Sequence, residues 1–232
     1  MNPGVTLYTG TPRYIGDEGQ FSAIWKQPAA GPLRIAKEGL AGDAQADRRV
    51  HGGPEKAVHH YAGENYAKLA ARFPQIADAL VAGSIGENVS TVGLDETTVC
   101  IGDVFRIGTA LLQVCQPRRP CWKIDARYGV AGLTAHIVAS GLTGWYYRVL
   151  EEGVAAAGDA CEHVDRPAGA VTLAALWTAW HHHRPDAAAL SALAAAPGLT
   201  PAWAKKIGER LDWLAANPDA ARGTPAAPAI KG

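Results

Sequence analysis

A mainly β fold with added α structure is the prediction for this chain. It divides into a β-barrel or sandwich-like domain over residues 1–168, a small three-helix unit over 169–216 and a disordered tail over 217–232. Three observations carry that reading. Short β-prone runs set off by Gly- and Pro-containing turns fill the chain to about residue 165, as in antiparallel barrels and sandwiches. Beyond that point apolar residues recur at helical spacing behind capping residues. From Asn217 the composition turns to Ala, Pro and Gly, too poor in large apolar side chains to order itself.

Residues 5–9 and 21–26 read as short strands, separated by turn residues. Tyr66, Leu69, Ala70 and Phe73 follow helical spacing, and Pro74 ends that helix. Thr97 to Ile101, Val104 to Ile107 and Ala110 to Cys115 are β-prone runs joined by Gly102-Asp103 and Gly108-Thr109, as in a tight meander. Leu133 to Ala139 predicts a short helix stopped at Ser140-Gly141. Trp145, Tyr147 and Val149 alternate with Tyr146, Arg148 and Leu150, giving a strand with two different faces. A turn at Glu151-Glu152-Gly153 leads to another strand ending near Val164. Thr172, Asp186 and Thr200 then stand as caps of three helices, the last opening with Pro201 and carrying Trp203, Ile207, Leu211 and Leu214. Three such helices are too few to be stable unless they pack on the barrel or on a partner subunit.

At 232 residues the chain holds one large domain, or one domain with a small appendage. The 22 basic and 22 acidic residues cancel, which argues against nucleic acid as a partner. No run reaches the apolar length of a membrane span. The opening Met1-Asn2-Pro3-Gly4 lacks the regions of a signal peptide, so the expected location is the cytoplasm. Disulfides are not expected there. The four cysteines show no CxxC pair and no zinc-type spacing. Cys100 and Cys115 lie in apolar runs and read as small core residues. Cys161 sits among polar residues and is assigned no role.

Cys121 is different. It stands in Gln116-Pro117-Arg118-Arg119-Pro120-Cys121-Trp122-Lys123, between two prolines and close to three cationic side chains. Neighbouring cations favour the thiolate, the form that reacts and binds metals, and the prolines stiffen the loop. Upstream, His51 and Lys56 flank Gly52-Gly53, which is either a plain turn or a loop that brings its backbone close to a ligand. His181-His182-His183 cannot converge on one ion from regular helix and reads as a solvated helix end.

Taken in order, Ser22-Ala23-Ile24-x-Lys26, Gly39-Leu40-x-Gly42-Asp43, His51-Gly52-Gly53-Pro54, Gly86-Glu87-Asn88, Ile101-Gly102-Asp103 and Gln116-Pro117-Arg118-x-Pro120-Cys121 resemble the MOSC domain family. The three-helix end beginning at Val171-Thr172 is similar to its YiiM-like group. The resemblance covers nearly the whole chain. It implies a MOSC-type β-barrel, binding of the molybdenum cofactor (molybdenum on molybdopterin), and reduction of N-hydroxylated compounds such as 6-hydroxylaminopurine, a detoxification. It also implies that Cys121 ligates the molybdenum.

On that resemblance, Lys26, Lys56 and Arg118 would supply cations for the cofactor's phosphate and Gly52-Gly53 backbone N–H groups. Lys26 and Lys56 taken singly, without the family pattern, read as solvated surface lysines. Asn88 either meets the pterin edge or stabilises a turn. His51 either relays protons to the leaving hydroxyl, since imidazole titrates near neutrality, or is structural. No G-x-G-x-x-G helix opening or iron–sulfur cysteine set is present, so electrons are expected from a separate flavin or iron–sulfur reductase. The helical unit could cover the barrel, dock that reductase or make a homodimer contact.

The main alternative is a sulfur carrier with a persulfide on Cys121, loaded by a pyridoxal-phosphate-dependent desulfurase. A Cys–His hydrolase using Cys121 with His51 lacks an acidic third member. A module that binds the cofactor or another small anion without turnover is the remaining class.

Overall fold

A computed structural model describes residues 2–16 and 19–217; the predicted tail beyond Asn217 lies outside the described residues. The first strands are β1 (Thr6–Thr9), β2 (Arg13–Ile15), β3 (Gln20–Ser22), β4 (Gln27–Pro28), β5 (Leu33–Ala36) and β6 (Gly39–Leu40). A four-residue helix α1 (Arg48–His51) and a 3-10 turn (Pro54–Lys56) lead into β7 (Val58–Ala62) and α2 (Gly63–Arg72). Then come β8 (Val89–Thr91), β9 (Val104–Ile107), β10 (Ala110–Pro117), α3 (Lys123–Tyr128) and α4 (Leu133–Ser140). β11 (Trp145–Glu151), β12 (Gly153–Ala155) and β13 (Cys161–Asp165) precede α5 (Leu173–His181), α6 (Ala187–Ala194) and α7 (Pro201–Ala216).

One eight-stranded sheet, in the order β13-β9-β10-β11-β7-β8-β1-β4, dominates the molecule. Its pairs are antiparallel except for the parallel pair β7 and β8. The named strands do not close into the predicted barrel: β13 and β4 remain the two ends of the sheet. An isolated bridge between Gly4 and Ala160 ties the approach to β1 to the approach to β13. There Cys161 N–H donates to Pro3 O at 2.8 Å and Val5 N–H to Asp159 O at 2.9 Å. Short strands β12, β5 and β6 form a second sheet, and β2 with β3 a hairpin.

The inward face of β11 carries Trp145, Tyr147 and Val149, buried as the alternation requires. These pack with Phe105, Leu112 and Val114 and with Leu173, Leu176, Leu190, Trp203 and Ile207 of the helices in one core. The helical unit therefore stabilises itself on the sheet. A second core joins Tyr61, Tyr66, Leu69 and Phe73 to Ile85, Ile124 and Ile137. The Cys121 loop joins β10, whose inward side chains belong to the first core, to α3, which contributes Ile124 to the second. No helix among the described residues is long and apolar enough to cross a membrane.

Two strand predictions fail for identifiable reasons. In the 97–101 run, Asp95 Oδ1 accepts the Thr97 N–H (2.9 Å) and Asp103 Oδ2 the Cys100 N–H (2.8 Å). Side chains thus take two N–H groups of the run, which keeps only one isolated bridge, Cys100 with Thr172. In 21–26 only Phe21 and Ser22 are paired, in β3, and β4 begins beyond the run at Gln27, while Ala23, Ile24 and Lys26 line a cavity. The cap predictions hold: Thr172, Asp186 and Thr200 each accept a backbone N–H three residues on.

Candidate functional site

Strand β10 delivers the cysteine loop. Past its end the Arg118 N–H donates to Gly144 O at 3.0 Å, so the loop begins tied to the start of β11. Gly144 makes this possible: it has φ 69°, and a Cβ there would lie 2.4 Å from His60 O. Further on, the Thr134 hydroxyl donates to Cys121 O at 3.2 Å, and Asp125 accepts the Thr134 N–H at 2.6 Å. Helices α3 and α4 thereby clamp the backbone of a half-buried, unpaired Cys121.

Two cavities meet at this residue. The smaller, about 80 Å³, is lined by Lys26, Asp43, His51, Lys56, His59, Asn88, Arg118, Lys123 and Tyr146 as well as Cys121. The larger, about 650 Å³, shares His51, Lys56, Cys121, Lys123 and Tyr146 and adds Arg119, Trp122 and the start of α7. Lys26, His51, Lys56, Asn88, Arg118 and Cys121, far apart in sequence, thus come together as expected. Gly52 and Gly53 line neither cavity. They make the turn from α1 to the 3-10 segment, where Gly53 has φ 90° and a Cβ on Gly52 would sit 3.0 Å from Arg48 Cα.

The lining groups have distinct electrostatic roles. Lys26 is buried in an ion pair with Asp43, and burial lowers its pKa despite that partner. Asn88 spends its side chain on the protein: its amide donates to Asp43 Oδ2 at 2.9 Å, and its oxygen accepts the His59 N–H at 3.1 Å. Arg118 is only 6% exposed, with Nη2 3.5 Å from Ile85 O and Nη1 buried without a hydrogen-bond partner. His59 Nε2 is likewise buried and unpartnered, and burial holds its pKa well below the usual value.

His51 departs from expectation. Burial first, then the positive charges of Arg118, Lys123 and Lys56, push its pKa down to about 4. The ring is therefore neutral near pH 7 and does not titrate near neutrality. Burial, then Arg119, lowers Lys56. Cys161, given no role from sequence, faces the core, and burial raises its thiol to about 12. Cys100 and Cys115 are buried as predicted. At the histidine run, His181 stacks on Trp177 with centroids 4.3 Å apart, and His182 is the C-cap of α5.

Chemically the site offers one soft sulfur ligand beside a guanidinium with one buried, unpartnered nitrogen, and further cations. Among the described residues no group of three or more His, Cys, Asp and Glu gathers as a metal cage. Asp43, His59, Lys123 and Tyr146 were not singled out for the site from sequence. Asp43 and Lys123 already stood inside the quoted landmarks, but the contacts that bring them in cross many residues.

The MOSC domain family model matches residues 47–162, and protein YiiM of Escherichia coli (strain K12) is 39% identical over 210 residues, 90% of this chain and 93% of that one. The chain belongs to the MOSC family, in its YiiM-like group. The crystal structure of YiiM from Escherichia coli agrees in fold, with a TM-score of 0.77 and 33% identity over 92% of this chain and 94% of that one. A protein of Gibberella moniliformis named "Reductase" is 37% identical over 170 residues, 71% of this chain and 30% of its own length. The MOSC match contains His51, Lys56, Asn88, Arg118 and Cys121 but leaves Lys26, Asp43 and the α7 wall of the larger cavity outside.

Proposed function

We propose that this MOSC protein is a molybdenum-cofactor-dependent oxidoreductase that reduces N-hydroxylated compounds, hydroxylaminopurines among them. The observation that carries this reading is the buried, unpartnered Nη1 of Arg118 on the same small cavity as the half-buried Cys121. A buried guanidinium nitrogen lacking a partner is costly unless an anion or acceptor meets it. The residues fit the group. Arg118 and Lys56 would bind its phosphate, and Cys121 would be the protein ligand to molybdenum, a metal that takes soft thiolates.

Bound there, the cofactor supplies the two-electron redox chemistry and Lewis acidity needed to break an N–O bond. The protein's own groups bind, orient and shield. Lys26 and Asn88 act through Asp43, fixing the cavity wall. His51, neutral near pH 7, can accept a proton from water at one ring nitrogen and pass one from the other toward the departing hydroxyl. From the helical unit, residues 169–216, Thr200 to Trp203 and Lys206 form one wall of the larger cavity. Electrons come from a separate flavin or iron–sulfur reductase. The reductase name of the Gibberella relative supports the reaction class.

Metal and pterin analysis of the native protein tests the proposal. Molybdenum near one per chain is expected in the wild type, and Cys121→Ala should lose metal and activity while keeping its circular dichroism and melting behaviour. NADH without a partner reductase should support no turnover. A persulfide on Cys121 with no molybdenum would establish the sulfur carrier instead.

A further inference from the structure

Neighbours on β7, His59 and His60 point to opposite faces of the sheet, and both imidazoles are buried. His60 has a chain partner at each ring nitrogen, the Tyr147 and Thr91 hydroxyls. His59 does not. Its main-chain N–H is taken by Asn88 Oδ1 at 3.1 Å. The Tyr146 ring packs on it with centroids 5.2 Å apart, and Tyr61 meets it edge-on at 6.4 Å. The Gly86 backbone accepts a hydrogen bond from the ring, and because Nε2 has no partner that bond is made at Nδ1. Nδ1 therefore carries the ring proton, and Nε2 is left as an acceptor.

That acceptor belongs to the wall of the smaller cavity, beside Arg118. Among the described residues lining it, His59 Nε2 and Arg118 Nη1 are the two buried side-chain atoms without a hydrogen-bond partner. Gly144 sits between their chains: its oxygen accepts the Arg118 N–H at 3.0 Å, and a Cβ on it would lie 3.1 Å from His59 Nε2. A ligand that satisfies both groups must offer an acceptor to Arg118 and a donor to His59. A fully ionised oxyanion offers only acceptors and sets its oxygens against the Nε2 lone pair, which leaves a buried polar atom unpaired. A phosphate that keeps one proton meets both. At about 80 Å³ the cavity holds roughly six water-sized groups, enough for a tetrahedral oxyanion. Asp43, the carboxylate on this wall, is already engaged by Lys26 and by the Asn88 amide.

We infer that His59 selects a phosphate group that still carries one proton, accepting its P–O–H at Nε2 while Arg118 Nη1 donates to a charged oxygen. On the proposed function, on which this assignment rests, the phosphate is the cofactor's and the ester is held in its singly charged form.

Full-length protein made in a host that cannot synthesise molybdopterin is titrated calorimetrically near pH 7.5 with inorganic phosphate, arsenate and sulfate at one ionic strength. Phosphate and arsenate there are mainly dianions with one O–H, and sulfate is a dianion of the same shape with none. Phosphate and arsenate should each bind about tenfold or more tightly than sulfate, as expected for one hydrogen bond gained in place of a lone-pair clash. In His59→Gln, whose amide can turn its NH₂ group toward a bare oxygen, the ratio should fall toward one. Circular dichroism and melting establish whether that variant folds; if it does not, the three wild-type affinities decide alone. Equal affinities in the wild type, tighter sulfate, no phosphate binding, or an unchanged ratio in folded His59→Gln would overturn the assignment. Molybdopterin content of the native protein separates the two readings. A preference for phosphate in a protein that natively carries no molybdopterin keeps the role of His59 and removes the cofactor. Molybdopterin near one per chain with no preference over sulfate does the reverse.

Discussion

Asp43 holds together several groups around the smaller cavity. Its carboxylate accepts from Lys26, from the Gly10 N–H at 2.8 Å and from the Asn88 amide at 2.9 Å. Lys26 is 8% exposed, so removing its counter-charge leaves a largely buried ammonium without its carboxylate. Asp43→Asn should therefore destabilise the protein by about 3–5 kcal/mol, measured as a shift in urea midpoint. Replacing Lys26 and Asp43 together with apolar residues of similar size should cost far less, because no charge is stranded. A single variant with the wild-type midpoint would show that the pair carries no such burden. The positions of Lys26 and Asn88 at the site were legible in the sequence, but their role was not. A buried lysine and a solvated one look alike until the fold sets their depth.

Among elements, α7 joins the helical unit to the sheet through its first turn. Thr200 Oγ1 accepts the Trp203 N–H at 3.3 Å, and the Thr200 N–H reaches Cys115 O at 3.1 Å. Thr200→Ala removes the first bond and keeps the second, so a loss of about 1 kcal/mol is expected in chemical denaturation. Thr200→Ser should restore most of it; a serine variant as weak as alanine would place the effect in methyl packing. This cap, with those at Thr172 and Asp186, could be read from sequence because a cap is a contact over three residues. The strands β5, β6 and β12 could not. They are two to four residues long and exist through distant pairs such as Ile35 with Gly153. Helix α3 was missed for a related reason: only six residues long, it follows a loop whose charge drew attention to chemistry. The absence of a closed barrel was also out of reach, since closure depends on hydrogen bonds between strands remote in the chain.

At the scale of the whole molecule, three histidines tie stability to pH. His60 lies in the centre of the large sheet, its ring nitrogens 3.0 Å from Tyr147 Oη and 2.9 Å from Thr91 Oγ1. Burial alone pushes its pKa down to about 3. His51 is lowered to about 4 by burial and by cations, and His59 is lowered well below its ordinary value by burial. In each case the folded pKa is depressed, so the unfolded chain binds more protons once the pH drops below about 6.5. Stability then falls with falling pH, from about 6.5 down to about 3 for His60. Within that window each pH unit costs about 1.4 kcal/mol for His60. Glu87 and Glu96 oppose this: burial raises both, so their contribution is present at low pH and is lost as the pH rises above about 4.5. The comparison that isolates the histidine is wild type against His60→Gln, which can still bond both hydroxyls and cannot be protonated. Urea denaturation at pH 7, 6 and 5 should show wild-type stability falling more steeply toward acid, by up to one proton. Parallel pH dependences for the two proteins would mean that His60 is not held neutral by its burial in the sheet.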